Sequence, residues 1–81
     1  MEKNLTELEI GESGVIVNVL GEGRLRHRLF DMGVTPSANV TMVKKSPLGD
    51  PIEINIRGYS LTLRKTEALN IILKVSDKEA K

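Results

Sequence analysis

The chain has 81 residues and a formal net charge of +1 from 12 basic and 11 acidic side chains, so no long-range field favours nucleic acid or an anionic membrane. It contains no cysteine, which excludes disulfides and thiolate metal sites, and its aromatic residues are one Phe and one Tyr. We expect a single small domain with an aliphatic core and, because the start resembles no secretory signal and no apolar run could span a membrane, a cytoplasmic location.

The first predicted strand runs from Val15 to Leu20, after a turn that contains Gly11 and Gly14. Alternate side chains of a strand lie on opposite faces. Here both faces carry apolar residues, with Val15, Val17 and Val19 on one and Ile16 and Leu20 on the other. We therefore expect a strand that is covered in part on both sides.

Residues 24–32 change to the periodicity of a helix. Leu25, Leu29 and Met32 recur at i, i+4 and i+7 and form one apolar stripe. Gly33 is predicted to end this helix, because glycine readily adopts the left-handed conformation that is common at helix ends. A cationic cluster and one aromatic residue lie away from the stripe: Arg24, Arg26, His27, Arg28 and Phe30.

The second half of the chain predicts antiparallel strands. Apolar and polar residues alternate in 40–45 and in 52–57, on either side of a loop from Pro47 to Pro51, and the two segments are expected to pair. A two-residue connection at Gly58 and Tyr59 then leads into a strand that contains Leu61 and Leu63.

The remaining segments are a helical turn at 65–68, a last strand at 71–75 and a polar tail from about residue 76. The elements predict an all-β (mainly β) protein, a small and partly open SH3-like barrel of about five strands. One short helix would follow the first strand, and a short helical turn would precede the last. The whole chain, 1–81, would form one domain. Seven residues are assigned to structural turns: Gly33, Pro36, Pro47, Gly49, Asp50, Pro51 and Gly58.

Two stretches, RLFDMGVTP at 28–36 and PLGDPIEINIRGYSLTLRKTEA at 47–68, resemble the ferrous iron transport protein A (FeoA) family. The resemblance covers nearly the whole chain. The sequence departs from the family pattern at Ser37, where glycine is usual. We therefore expect either a looser turn after Pro36 or an unusual backbone angle at Asn39. The matching residues are Arg28, Leu29, Met32, Gly33, Val34, Pro36, Pro47, Leu48, Gly49, Asp50, Pro51, Arg57, Gly58, Leu63, Arg64, Glu67 and Ala68.

This resemblance implies a small SH3-like cytoplasmic protein that assists the membrane GTPase permease of bacterial ferrous iron uptake. It would bind the cytosolic domain or loops of that permease, and would reach the inner face of the membrane through it. Similar modules form the C-terminal domain of some iron-dependent repressors. This chain has no room for the helix-turn-helix that reads DNA, which argues against repressor activity.

Catalysis and metal binding have little support in the residues. The chain has one histidine, no cysteine and no Gly-x-Ser-x-Gly nucleophile motif, so we predict that it is not an enzyme and needs no cofactor. Gly21 and Gly23 lack the Gly-Lys-Ser/Thr of a phosphate loop. His27 and Asp31 are spaced i, i+4 on the predicted helix, which allows at most weak binding of ferrous or another divalent ion. No metal site is assigned.

Two basic clusters are candidates for partner binding. The first contains Arg24, Arg26, His27 and Arg28, which would contact an acidic surface or simply form a solvated helix face. Phe30 would dock in a groove of the partner or close over the core. The second contains Arg57, Arg64 and Lys65, for which solvation is again the alternative.

A different class of function stays open at this point. Both basic clusters together would suit a nucleic-acid or ribosome-associated barrel, with binding that weakens as salt rises. The scarcity of aromatic residues argues against it, and no nucleic acid is expected. Exposed strand edges also predict weak self-association, which is compatible with binding to the permease.

Overall fold

The computed structural model describes residues 1–75, and its framework is one antiparallel sheet of six strands. The strands are β1 (Glu2–Asn4), β2 (Ser13–Val19), β3 (Asn39–Lys45), β4 (Ile52–Ile56), β5 (Tyr59–Leu63) and β6 (Ile71–Lys74). Two helices, α1 (Gly23–Asp31) and α2 (Lys65–Ala68), and a 3₁₀ helix (Leu5–Glu7) lie between them. The order β1-β6-β2-β3-β4-β5 makes β1 and β5 the edges.

The predicted mainly-β fold is confirmed, with one strand more than expected. The extra strand is β1, which pairs antiparallel with β6 and had given no clear signal because it is only three residues long. As a result, α1 follows the second strand and not the first. The predicted polar tail lies outside the described residues. In residues 1–75, no helix combines the length and apolar character needed to cross a membrane.

The 3₁₀ helix after β1 closes one end of the core. The Asn4 side chain accepts the N–H of Thr6, and the Glu7 carboxylate accepts the N–H of Asn4, each at 2.9 Å, so a reciprocal cap ends the strand and begins the helix. This places Leu5 and Leu8, both with no exposed area, under the sheet. The N-terminal segment therefore belongs to the core.

Nearby, Glu12 ties the following loop together. Its carboxylate accepts the N–H of Glu9 at 2.8 Å and lies 3.1 Å from the Lys3 ammonium. The hydrogen bond from the N–H of Glu9 is the main cause that lowers the pKa of Glu12. Partial desolvation of the carboxylate opposes it, and the Lys3 and Lys45 ammonium groups lower the pKa further.

The alternating isoleucines of β4 form the centre of the core, as their periodicity predicts. Ile52, Ile54 and Ile56 are at most 2% exposed, and they pair across to β3, where Val40 and Met42 are buried beside them. The predicted pairing across the 47–51 loop is therefore confirmed. Leu29 of α1 and Leu63 of β5 complete this layer, each at most 1% exposed.

The turn between β4 and β5 lies one residue earlier than predicted. Ile56 pairs with Tyr59, so the connection consists of Arg57 and Gly58 and not of Gly58 and Tyr59. Their φ angles are 52° and 88°, and the type I′ turn that matches strand twist requires positive φ at both positions. The presence of arginine at the first position concealed this turn from the sequence pattern.

The predicted faces of β2 were wrong because the strand contains a bulge. Ile16 pairs with Leu73 and Asn18 with Ile72, which leaves Val17 as an extra residue. The alternation therefore changes phase, and Ile16 and Val19 are both buried while Val15 and Val17 are 38% and 39% exposed. The expectation that Val15, Val17 and Val19 share one face does not hold.

Helix α1 ends at the predicted place and is held there from the β4–β5 turn. Gly33 has a φ of 91°, which confirms its prediction as the helix end. The Tyr59 hydroxyl donates a hydrogen bond to the carbonyl of Met32, and Arg57 Nε donates to the carbonyl of Gly33 at 3.3 Å. These bonds fix the backbone that directly follows α1 to the β4–β5 turn.

The turn after Pro36 does not use Asn39 for its unusual backbone angle. Ser37 itself adopts a φ of 80°, and its N–H donates to the carbonyl of Ile16 at 2.7 Å. Asn39 is the first residue of β3 and is not among the described residues with positive φ. The turn is therefore tight, and serine occupies the conformation that glycine adopts at lower cost.

Ser37→Gly should raise the free energy of unfolding by about 0.5–1 kcal/mol. The left-handed conformation costs a non-glycine residue about 1–2 kcal/mol, and the greater entropy of glycine in the unfolded chain offsets part of this gain. Urea unfolding followed by circular dichroism measures it. Ser60→Gly, in exposed strand β5, is the control and should instead lose stability. If both variants lost stability, the backbone strain assigned to Ser37 would be contradicted.

Gly33→Ala should destabilise the protein by about 2 kcal/mol or more. The added Cβ would lie 2.7 Å from the Tyr59 hydroxyl oxygen, in addition to the cost of positive φ. Gly58→Ala is a matched control with a φ of 88° and no neighbouring atom within 4 Å of the added Cβ, so it should cost only about 1 kcal/mol. Equal losses in the same unfolding measurement would show that Tyr59 does not pack tightly on Gly33.

Candidate functional site

Helix α1 presents one exposed charged stripe on the side opposite its apolar contacts. Arg24, His27, Arg28 and Asp31 follow the spacing i, i+3, i+4 and i+7, and all four are exposed. Together with Gly23 they line an open depression of about 520 Å³. We call these four residues the α1 stripe. Leu29 anchors the other side of the helix in the core.

Arg26 of the predicted first cluster and the nearby Phe30 contact each other and the rest of the fold. The Arg26 guanidinium carbon lies 4.7 Å from the centre of the Phe30 ring, and Arg26 Nε donates to the carbonyl of Val19 at 3.1 Å. Phe30 is partly buried and packs against the core. This arrangement favours the interpretation in which Phe30 closes the core, and its docking in a partner stays a prediction.

The possible metal ligands on α1 remain a pair. His27 Nε2 lies 4.0 Å from Asp31 Oδ2, and the two side chains are 80% and 72% exposed. Within residues 1–75 there is no group of three or more histidine, cysteine, aspartate or glutamate side chains arranged to hold a metal ion. Weak divalent-metal binding by this pair therefore stays a prediction.

The structure separates the predicted second basic cluster. Arg57 lies in the turn before β5, whereas Arg64 and Lys65 lie beyond its other end, so the five-residue strand stands between them. At about 3.4 Å per residue the separation is roughly 20 Å. Arg57 is also engaged, since its Nη2 donates to Thr35 Oγ1 at 2.8 Å. These three residues do not form one patch, which weakens the nucleic-acid alternative.

Arg64 instead lies beside Arg28 of the first cluster, with Glu67 between them. Glu67 Oε1 accepts the N–H of Arg64 at 2.9 Å, and Oε2 lies 3.3 Å from Arg28 Nη1. Glu67 is 8% exposed and is the one charged residue that is buried in the described part of the chain. The ion pair between the buried Glu67 carboxylate and the largely exposed Arg28 guanidinium therefore joins α2 to α1.

A cleft of about 430 Å³ opens at this junction. We call it the Arg28–Arg64 cleft, and its lining consists of Arg28, Asp50, Pro51, Thr62, Leu63, Arg64 and Glu67. Asp50 is one of these lining residues, and its Oδ1 accepts the N–H of Lys65 at 3.0 Å. All of the lining residues except Thr62 belong to the family pattern in the sequence, although that pattern spreads them from residue 28 to residue 67.

Glu67 is the member of this site that sequence reasoning missed. The sequence pattern predicts only that it lies in a helical turn and matches the family. The Arg64–Glu67 spacing is that of a helix cap, in which the carboxylate bonds back to the N–H three residues earlier. The sequence therefore contains a signal for the cap. It contains none for the pairing of Glu67 with Arg28, which lies 39 residues away in the chain.

Comparison with known proteins gives this architecture a family. The FeoA domain model matches residues 3–75. The chain is 36% identical over 76 residues to the Fe(2+) transport protein A/Fe(2+) transporter FeoB fusion protein of Porphyromonas gingivalis. This alignment covers 94% of the present chain but 9% of the fusion protein, so the chain spans less than a tenth of that relative.

Solved structures agree with this relationship. A FeoA-like protein from Clostridium acetobutylicum shares 36% identity with a TM-score of 0.83, over 91% of this chain and 86% of that one. FeoA from Chlorobium tepidum shares 33% identity with a TM-score of 0.84, over 98% and 78% of the two chains.

FeoA of Stenotrophomonas maltophilia, a prokaryotic SH3 domain protein complexed with zinc, shares 26% identity with a TM-score of 0.77, over 89% of each chain. The expected SH3-like fold is thereby confirmed. With its six-stranded sheet, its SH3-like neighbours and a family match over residues 3–75, this chain belongs to the FeoA domain family, which is linked to ferrous iron transport.

Proposed function

We propose that this protein is a cytoplasmic accessory of ferrous iron uptake that binds the cytosolic part of a FeoB-type permease. The observation that carries the proposal is the relative from Porphyromonas gingivalis, in which a FeoA domain and a FeoB transporter are one polypeptide. Fusion holds two modules at a high effective concentration, which is useful where they act on each other. A FeoA domain that is not fused to its permease would need a surface that recognises it.

The α1 stripe is the surface that best suits this role. Arg24 is exposed and its side chain makes no hydrogen bond or ion pair in the described residues, and His27 is 80% exposed. The helix that carries them is held at its C-terminal end by Tyr59 and Arg57. A fixed helix loses little conformational entropy on binding, so an acidic surface on the permease would be met by preorganised charges.

Regulation of transport would follow from selective binding. An accessory protein changes nucleotide turnover or gate opening only if it binds one state of the permease more tightly than another. The proposal gives this chain no catalytic residue and no resident cofactor. Its place at the inner face of the membrane would depend on the permease.

The test is a titration of ¹⁵N-labelled protein with the purified cytosolic GTPase domain of the cognate permease, in the GDP-bound state and in the state with a non-hydrolysable GTP analogue. We expect saturable shifts of amide resonances in α1, with different affinities in the two states. Arg24→Gln should weaken binding about threefold to tenfold at low salt, because it removes one exposed charge from the contact.

Lys74→Gln is the matched control, since it removes one exposed positive charge from β6, away from α1. It should bind within about twofold of the unmodified chain. Shifts that cluster on another face would move the docking surface away from α1. If no resonance moved at high concentrations of the GTPase domain in either nucleotide state, the proposal that the protein docks on this domain would be wrong.

A further inference from the structure

The Arg28–Arg64 cleft brings together one arginine from each of the two predicted basic clusters. Arg28 comes from α1, and Arg64 precedes α2 at the end of β5. Both line the same cavity of about 430 Å³, together with Thr62 and Leu63. Two arginines that line one small cleft are suited to hold an anion there.

Glu67 positions this pair without competing for a ligand. Its two oxygens are already in use, one by the N–H of Arg64 and the other by Arg28 Nη1. The Glu67 side chain is 10% exposed, whereas the Arg28 side chain is 67% exposed. Arg28 is therefore held at one nitrogen, and its remaining donors face the solvent.

The charges that a ligand can reach are mainly positive. Arg64 is exposed, and its guanidinium makes no hydrogen bond or ion pair in residues 1–75. Lys65 is exposed next to it, and Asp50 is the one exposed carboxylate in the lining. Because this carboxylate belongs to the lining, a single negative group is favoured over a polyanion, whose further charges it would repel.

We propose that the Arg28–Arg64 cleft binds one carboxylate side chain, an aspartate or glutamate of a protein partner. A carboxylate offers two oxygens that match the parallel donors of a guanidinium, and the methylene groups of glutamate would pack on the exposed Pro51. Naming the permease as that partner rests on the function proposed above. The proposal that the cleft binds a carboxylate does not depend on the identity of the partner.

The first test uses the whole protein and a small probe. Acetyl-Gly-Glu-Gly-amide is titrated at low salt, and the Hε resonances of Arg28 and Arg64 and the amide of Thr62 are followed by NMR. We expect saturable shifts in the millimolar range that weaken as salt rises, because the contact is an exposed ion pair. The matched peptide with Gln in place of Glu should produce little change.

Arg64→Gln is the decisive variant, because the Arg64 side chain makes no hydrogen bond or ion pair in residues 1–75 and its backbone N–H would still bond to Glu67. The Arg64→Gln variant should keep a dispersed amide spectrum, which shows that it is folded, while the shifts caused by the Glu peptide disappear. Equal shifts with the Glu and Gln peptides, or unchanged shifts in Arg64→Gln, would overturn the carboxylate site.

The second test measures affinity for the cytosolic GTPase domain of the permease. Arg64→Gln should weaken binding about tenfold or more, because a charge-assisted contact is lost. Arg64→Lys, which keeps the charge but not the planar fork, should fall between Arg64→Gln and the unmodified chain. The control Lys74→Gln should change affinity by less than about twofold.

The outcomes separate the two proposals. If Arg64→Gln binds normally while Arg24→Gln is weakened, the permease docks on α1 and the cleft is not its anchor. If the permease domain does not bind but the Glu peptide shifts Arg28 and Arg64, the carboxylate site stands and the proposed partner is wrong.

Discussion

The structure depends first on the burial of one face of β4. Ile52, Ile54 and Ile56 are at most 2% exposed, and the hydrogen-bonded neighbours β3 and β5 are held in register against them. A shift of this strand by one residue would turn all three isoleucines towards solvent and bring charged or polar residues inside. This constraint fixes the position of the β4–β5 turn, and through it the position of everything that the turn contacts.

The most important of these contacts is with α1. Leu29 packs into the core, and the helix end is held by Tyr59 and Arg57, both placed by the register of β5. At the other end of β5, Glu67 pairs with Arg28. The helix is thus attached to both ends of one strand. Its outer face gains a fixed orientation, which lowers the entropy cost of binding a partner.

The candidate site combines local and distant parts of the chain in a way that a linear pattern could not show. The cationic cluster of α1 was visible because helical periodicity separates Arg24, His27 and Arg28 from the apolar stripe. The engagement of Arg26 with Phe30 and Val19, and the separation of Arg57 from Arg64, were not visible. Both depend on which strand lies next to which helix, and a solvated arginine and a bonded one look alike in a sequence.

Local rules therefore determined most of the strands and the helix of this protein, and the glycine at the helix end. Alternation with a period of two and the positive φ of Gly33 depend only on neighbouring residues. Tertiary structure alone decided the bulge at Val17, the left-handed Ser37 and the meeting of Arg28 with Arg64 around Glu67. The bulge and Ser37 arise where the chain must meet a strand that is distant in sequence. Arg28 and Arg64 line the same cleft because α1 packs against the core that the β4 face organises. No local sequence preference encodes that position of α1.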